Sequence, residues 1–303
     1  MKKRNILGST LLLGGAGYLA TAYYVFKNAF DLQQSKFLER YYSGKGHQDE
    51  ELERWFMSQN MERVSITSDD YLKLQALRIE GNPKSDTWMI MVHGYQSRAL
   101  DMKYYMRMFS AHVQNFLVID QRGHGLSEGR YTGMGWLEQY DLLGWIQHLV
   151  SYRPKAKIIL FGLSLGAATV MNTVGNHLPE NVICAIEDCG FSDIKEEISY
   201  LFQKDAKISC HPFFPAIELM VEDRVGFSLS NASTRRQLIQ SRIPMLFIHG
   251  DQDQIVPASM VKENYYACGS DKQLAIFEGK GHGMSITDPS YVETIFTFVK
   301  HYL

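Results

Sequence analysis

The chain has 303 residues, of which 45% are hydrophobic and 21% charged, with a formal net charge of −2. That suffices for one large α/β domain with a buried core. The near-balance of charge, with no single-sign block, argues against a dedicated nucleic-acid binder, which needs a basic face to neutralise phosphates.

The chain opens on Lys2, Lys3 and Arg4 and then carries no charge from Ile6 to Phe26. A helix of that length spans roughly 30 Å, the thickness of a bilayer's hydrocarbon core. Residues 1–30 are therefore expected to form an uncleaved signal anchor, one transmembrane helix with the cations on the cytoplasmic side. Tyr23, Tyr24 and Phe26, followed by Lys27, resemble an interfacial belt at its far end. This predicts a single-pass protein of the cell membrane whose following domain lies outside the cytoplasm. Two alternatives stand beside it: a signal peptide cleaved near Ala20-Thr21-Ala22, giving a secreted protein, and a buried helix of a soluble domain. Residues 31–61 turn polar and read as a juxtamembrane helical linker. It has a break at Ser43–Gly46 and a second short helix before the core.

From residue 62 the pattern changes. "RVSITS" and "YLKLQALRIE" read as two antiparallel strands joined at Ser68-Asp69-Asp70. Six short apolar runs follow, at 88–94, 115–121, 157–164, 182–188, 245–251 and 273–279. Such runs suit central parallel strands covered on both faces. Amphipathic stretches separate them. One places Leu142, Trp145, Ile146 and Leu149 on one face, and the last starts at Asp288-Pro289 and aligns Val292, Ile295, Phe296 and Val299. The result is a doubly wound, mostly parallel sheet, a fold whose function sits at the carboxyl ends of its strands.

At one such end lies "GLSLG" (162–166). A strand, a Gly-x-Ser-x-Gly turn and a helix force Ser164 into a sharp bend that presents its oxygen at the sheet edge. Gly162, Gly166 and Ala167 lack bulk where strand and helix approach closely. The N–H of Leu165, at the helix start, is placed to stabilise an oxyanion. A serine hydroxyl needs a base, and the base needs an orienting acid. His282, in "GKGHG", lies in the loop after the last strand, on the same sheet edge. His93, His124 and His249 also lie near strand ends, but each neighbours a glycine in a tight turn and is expected to be structural. His112, His148 and His177 fall in or near helices. For the acid, "HGDQDQIVP" offers Asp251 and Asp253, and Asp253, one step further into the loop, is preferred. The order is then Ser164, Asp253, His282.

Together "VHGYQS" (92–97), "DQRGHGLSEG" (120–129), "GLSLG", "HGDQDQIVP" (249–257) and "GKGHG" (279–283) make residues 62–303 resemble the α/β-hydrolase superfamily. With the anchor-like N-terminus, the chain is similar to membrane-attached or exported bacterial hydrolases of the Bem46-like and YqkD-like kind. The resemblance implies that the residue after the His-Gly pair, Tyr95, donates the second oxyanion N–H. It also implies that the acid follows the seventh strand, which supports Asp253. About fifty residues separate "EDCGFSD" from "SRIPMLFIHG", too many for one connecting helix. Residues 191–240 are therefore expected to form a small helical cap, opening on a capping box of Asp193 and Glu196. Phe202, Phe213, Phe214 and Phe227 would either line an apolar pocket or glue the cap to the core.

The function expected is hydrolysis of a small-molecule carboxylic ester through an acyl-enzyme on Ser164, with no metal or organic cofactor required. Lipase, thioesterase and peptidase chemistry use the same three residues, and a non-catalytic binding module on this fold is the reading from another class. No nucleic-acid partner is expected, and oligomeric state stays open. The cysteines Cys184, Cys189, Cys210 and Cys268 form no metal-binding spacing and are expected as free thiols. Cys189 and Cys210 would pair only if the fold joined them.

Overall fold

The computed structural model describes residues 2–35 and 49–303, with side chains from Gly15 onward in the first segment. Among these residues eight strands form one sheet: β1 (Met61–Thr67), β2 (Lys73–Glu80), β3 (Thr87–Val92), β4 (Asn115–Asp120), β5 (Lys157–Leu163), β6 (Val182–Asp188), β7 (Met245–Gly250) and β8 (Lys272–Phe277). Their order is β1-β2-β4-β3-β5-β6-β7-β8. β2 runs antiparallel to β1 and β4, and every other pairing is parallel. The chain leaves β3 toward β4 on one side and returns to β5 on the other. That reversal opens a crevice beyond the carboxyl ends of β3 and β5, where Val92 stands opposite Gly162.

Among the described residues ten α-helices accompany the strands: α1 (Lys2–Phe30), α2 (Glu50–Met57), α3 (Lys103–Phe109), α4 (Glu138–Tyr152), α5 (Leu165–Thr173), α6 (Ile194–Ala206), α7 (Phe214–Arg224), α8 (Thr234–Gln240), α9 (Ala258–Ala267) and α10 (Tyr291–Lys300). α2, α3 and α10 cover one sheet face through Phe56, Phe109 and Phe298. α4, α5, α8 and α9 cover the other through Trp145, Val170, Leu238 and Val261. The apolar runs read from the sequence are strands β3 to β8. β8 departs from the expected two-sided burial: it is an edge strand, and Leu274 and Ile276 are exposed. α10 begins at Tyr291 rather than Asp288, whose carboxylate instead closes the preceding turn by accepting from the N–H and hydroxyl of Ser290.

Residues 191–240 hold α6, α7 and α8. α6 and α7 form the lid-like layer, whereas α8 packs back on the sheet domain. Asp193 caps α6, accepting from the N–H groups of Lys195 and Glu196 at 2.8 and 3.2 Å. Only half of the expected box forms, because Glu196 pairs with Arg235 at 3.1 Å.

The N-terminal reading needs correction. No helix among the described residues is long and apolar enough to cross a membrane. The run is diluted by Gly8, Gly14, Gly15, Gly17, Ser9, Thr10 and Thr21. Its second half has another use: Ala22, Val25, Phe26, Ala29 and Phe30 are buried against the α6–α7 layer. Phe26, expected at a lipid interface, stacks on Phe30 at 5.7 Å and meets Tyr131 at 5.8 Å. Ala20–Ala22 lies within the continuous helix. The end of α1 is tied down by the Asp31–Arg130 ion pair at 2.8 Å and by the Thr132 N–H donating to the Phe30 carbonyl at 3.0 Å. The side chains of Lys2, Lys3 and Arg4 and the break at Ser43–Gly46 lie outside the described residues, as does most of the linker before α2. The four cysteines are free and buried.

Candidate active site

Ser164 follows β5 and caps α5 with φ 54° and ψ −113°. A residue with a side chain seldom adopts this conformation, and it costs about 1–3 kcal/mol. The flanking glycines make it attainable. A Cβ at Gly162 would lie 2.2 Å from the Gly166 carbonyl oxygen, and one at Gly166 would lie 2.1 Å from that of Val92. Only glycine lets α5 descend onto the ends of β5 and β3. The bend is pinned by the Ser164 N–H donating to the Asp188 carbonyl at 2.8 Å.

The loops after β5, β7 and β8 bring the three expected residues together. Ser164 Oγ is 2.8 Å from His282 Nε2, and His282 Nδ1 is 2.7 Å from Asp253 Oδ2. With its proton on Nδ1 toward the carboxylate, the imidazole leaves Nε2 free to accept from the serine hydroxyl. Asp251 is elsewhere: its carboxylate is exposed and accepts from the Gly279 N–H at 2.7 Å.

Asp253 is saturated. Its Oδ1 accepts from the N–H groups of Ile255 and Val256 at 2.8 and 2.9 Å. Its Oδ2 faces both His282 and His249 Nε2, the latter at 3.2 Å. Burial works to raise its pKa, but the hydrogen bonds and charge of His249 and His282 outweigh it and hold the carboxyl well below the usual range. His249 moves the other way. Burial opposes its charge, yet Asp253 and Glu187 raise its pKa. Behind these lie Glu187 and Asp188, which burial pushes up to about 8 and about 6.

The loop after β3 carries Tyr95 beside Ser164, and the Leu165 amide, first in its helix, has no acceptor within that helix. Two neutral histidines shape the loop. His124 Nε2 accepts from the Gln96 N–H at 3.1 Å, and His93 Nε2 accepts from the Gln121 N–H at 3.0 Å. Burial, then the neighbouring His124, lowers the His93 pKa to about 3, and burial also lowers that of His124. Both therefore remain acceptors at neutral pH, the structural part expected of them.

Residues 83–237, half of the chain, match the family model described as serine aminopeptidase, S33. The chain belongs to that family. It is a hydrolase of the α/β-hydrolase superfamily. This S33 hydrolase is 28% identical to the uncharacterized protein YqkD of Bacillus subtilis over 70% of each chain. It is 24% identical to protein bem46 of Schizosaccharomyces pombe over 78% of this chain and 74% of that one. Among solved structures, the Pyrococcus furiosus esterase Pf2001 superposes with a TM-score of 0.67 at 22% identity, covering 82% of this chain and 95% of that one.

Two cavities of the S33 hydrolase meet at Ser164. A cleft of about 580 Å³ runs between the loops after β3 and β8, lined by Tyr95, Gln96, Ser164, His282 and Met284. On the cap side a narrow, mostly apolar chamber of about 40 Å³ is lined by Ala29, Met134, Phe191, Glu197, Leu201 and Val256, among others. Phe202, Phe213, Phe214 and Phe227 line neither. They pack the cap on itself and on α1, as in the Phe213 contact to Tyr18 at 5.4 Å and the Phe227 contact to Phe30 at 6.4 Å.

Three participants escaped the sequence reading. Ala29 walls the chamber from α1, and the Asn28 and Ala29 carbonyls lie 3.1 and 3.2 Å from the Tyr95 hydroxyl, which donates to them. His249 contacts the acid, a role that its spacing four residues before Asp253 could have signalled. Glu197 was one charge on an expected cap helix. Cys189, at φ 54°, places its Sγ 4.0 Å from His282 Nε2. With Asp253 these atoms lie close enough to hold a metal ion, all within 4.8 Å. The donor set suits one poorly: Asp253 is already saturated, and burial pushes the Cys189 thiol well above its usual pKa, against the thiolate that binds metals.

Proposed function

We propose that this S33 hydrolase cleaves a carboxylic ester by acyl transfer through Ser164. The hydrogen-bonded chain from Ser164 Oγ through His282 to Asp253 carries this reading. In it, Ser164 Oγ attacks the ester carbonyl while His282 Nε2 takes its proton. Asp253 holds the imidazole in the required tautomer and balances the cation that forms. The N–H groups of Tyr95 and Leu165 receive the developing oxyanion. His282 returns the proton to the leaving alcohol, then deprotonates the water that attacks the acyl-enzyme, and Ser164 is released with the carboxylic acid. The strongly lowered pKa of Asp253 favours this assignment, since the acid must stay ionised while the histidine cycles. The esterase described by its solved structure in Pyrococcus furiosus supports the choice of an ester.

The test is labelling with a fluorophosphonate, followed by mapping of the modified residue and turnover of p-nitrophenyl esters. Labelling at Ser164 is expected, lost in His282→Ala. Ser164→Ala should reduce turnover by about 10⁴-fold or more while leaving the far-UV spectrum unchanged. Full esterase activity in a folded Ser164→Ala protein would overturn the reading.

A further inference from the structure

Glu197 lies on α6 of the cap and faces the same chamber as Ser164. The residue is 3% exposed, and its Oε2 is fully buried with no hydrogen-bond partner among the described residues. The rest of that wall is apolar: Met134, Phe191, Leu201, Ile255 and Val256. A buried carboxyl without a partner is costly to keep, and apolar side chains of similar size would fill the site more cheaply. A partner that arrives with the substrate accounts for it.

We propose that Glu197 is a specificity residue whose carboxyl hydrogen-bonds a neutral hydroxyl or keto group on a short acyl chain held in the chamber. This rests on the reading of Ser164 as the acylated residue. Burial, followed by the nearby charge of Asp253, raises the Glu197 carboxyl well above its ordinary pKa and so favours its neutral form. A neutral carboxyl offers one O–H donor and a carbonyl acceptor, which a hydroxyl can satisfy in both directions and a keto oxygen in one. An ammonium fits less well, because it brings three donors to a chamber whose polar side chains besides Glu197 are Ser164, the reacting group, and Tyr95, whose hydroxyl is engaged by the Asn28 and Ala29 carbonyls. The volume of about 40 Å³ restricts the acyl chain to a few atoms. A site built around a buried hydrogen bond discriminates strongly against the analogue that lacks it, because its own group is then left unpaired.

The experiment compares kcat/KM for p-nitrophenyl butanoate with its 2-hydroxy, 3-hydroxy, 3-oxo and 2-amino counterparts, in the full-length protein and in Glu197→Gln and Glu197→Leu. Each protein is first titrated with a fluorophosphonate to count reactive Ser164. The wild type should prefer a hydroxy or oxo ester over butanoate by roughly tenfold or more. Glu197→Leu should abolish or reverse that ratio, and Glu197→Gln, which keeps a donor and an acceptor, should retain part of it. If Ser164 is labelled and butanoate is the best substrate of all three proteins, the Glu197 assignment falls while the serine mechanism stands. A preference for the amino ester overturns the neutral-group assignment. Absence of labelling in folded wild-type protein overturns the mechanism and this proposal with it.

Discussion

Asp253 shows how single side chains set the electrostatics of the candidate site. Two backbone amides hold one oxygen and two imidazoles share the other. The carboxylate therefore cannot rotate away from His282, and its negative charge is stabilised in a site that would otherwise expel it. The neighbouring acids behave oppositely. Glu187 accepts one hydrogen bond, from the Gly190 N–H, and its other oxygen is buried without a partner. Burial raises its pKa from 4.5 to about 8. The folded chain thus holds a proton that the unfolded chain releases between those values, so this residue's contribution to stability falls as pH rises across the window. Glu187→Gln keeps the shape and cannot ionise. Thermal unfolding followed at pH 5 and pH 8 should show the wild type losing more Tm than the variant, by roughly 2 °C or more. An equal loss in both would mean that Glu187 is ionised in the fold. Ser164, Asp253 and His282 were legible because they are polar residues at strand ends in a fixed order. His249 was passed over because the glycine beside it reads as a tight turn, although its partner Asp253 stands only four residues on; Glu197 was not legible, since what marks it is a chamber built from residues distant in sequence.

At the scale of elements, the strands were legible because parallel strands are covered on both faces and leave continuous apolar runs. β8 shows the limit: its run looks the same, but no strand among the described residues flanks its outer edge. α1 shows another. An apolar stretch of helix length has the same composition whether lipid or a protein face covers it, and hydropathy does not name the cover. Here the second half of α1 closes the cap and reaches Tyr95. Phe30 is fully buried between Phe26 and Phe227. Its truncation in Phe30→Ala should cost about 3–5 kcal/mol, taken from the docking of α1. Since Ala29 walls the chamber and receives the Tyr95 hydroxyl, ester turnover should fall with the docking. Hydrogen exchange should rise over residues 18–30 and α7 while the strand amides stay protected. Faster exchange in α1 with ester turnover unchanged would show that this helix does not brace the site.

The whole molecule divides its apolar contacts unevenly. Two clusters fill the faces of the sheet and are tied together by strand ladders. The third joins α1 to the cap and meets the sheet domain through Tyr95, Met134, Leu165 and Ala168, residues at or beside Ser164. This third cluster is built from helices and loops, and among the described residues no sheet hydrogen bond crosses it except the bridge between Asp31 and Tyr131. It is therefore the part that opens first when apolar burial is weakened, and the chamber lies in its seam. Urea titration monitored by ester turnover and by far-UV circular dichroism should give two midpoints, with activity lost roughly 0.5 M or more below the loss of secondary structure. Between them the sheet stays folded and Ser164 keeps its strained backbone, but the Tyr95 loop and the Glu197 wall have moved away. Coincident midpoints would mean that cap, α1 and sheet unfold as one cooperative unit, and that the candidate site is as stable as the strands beneath it.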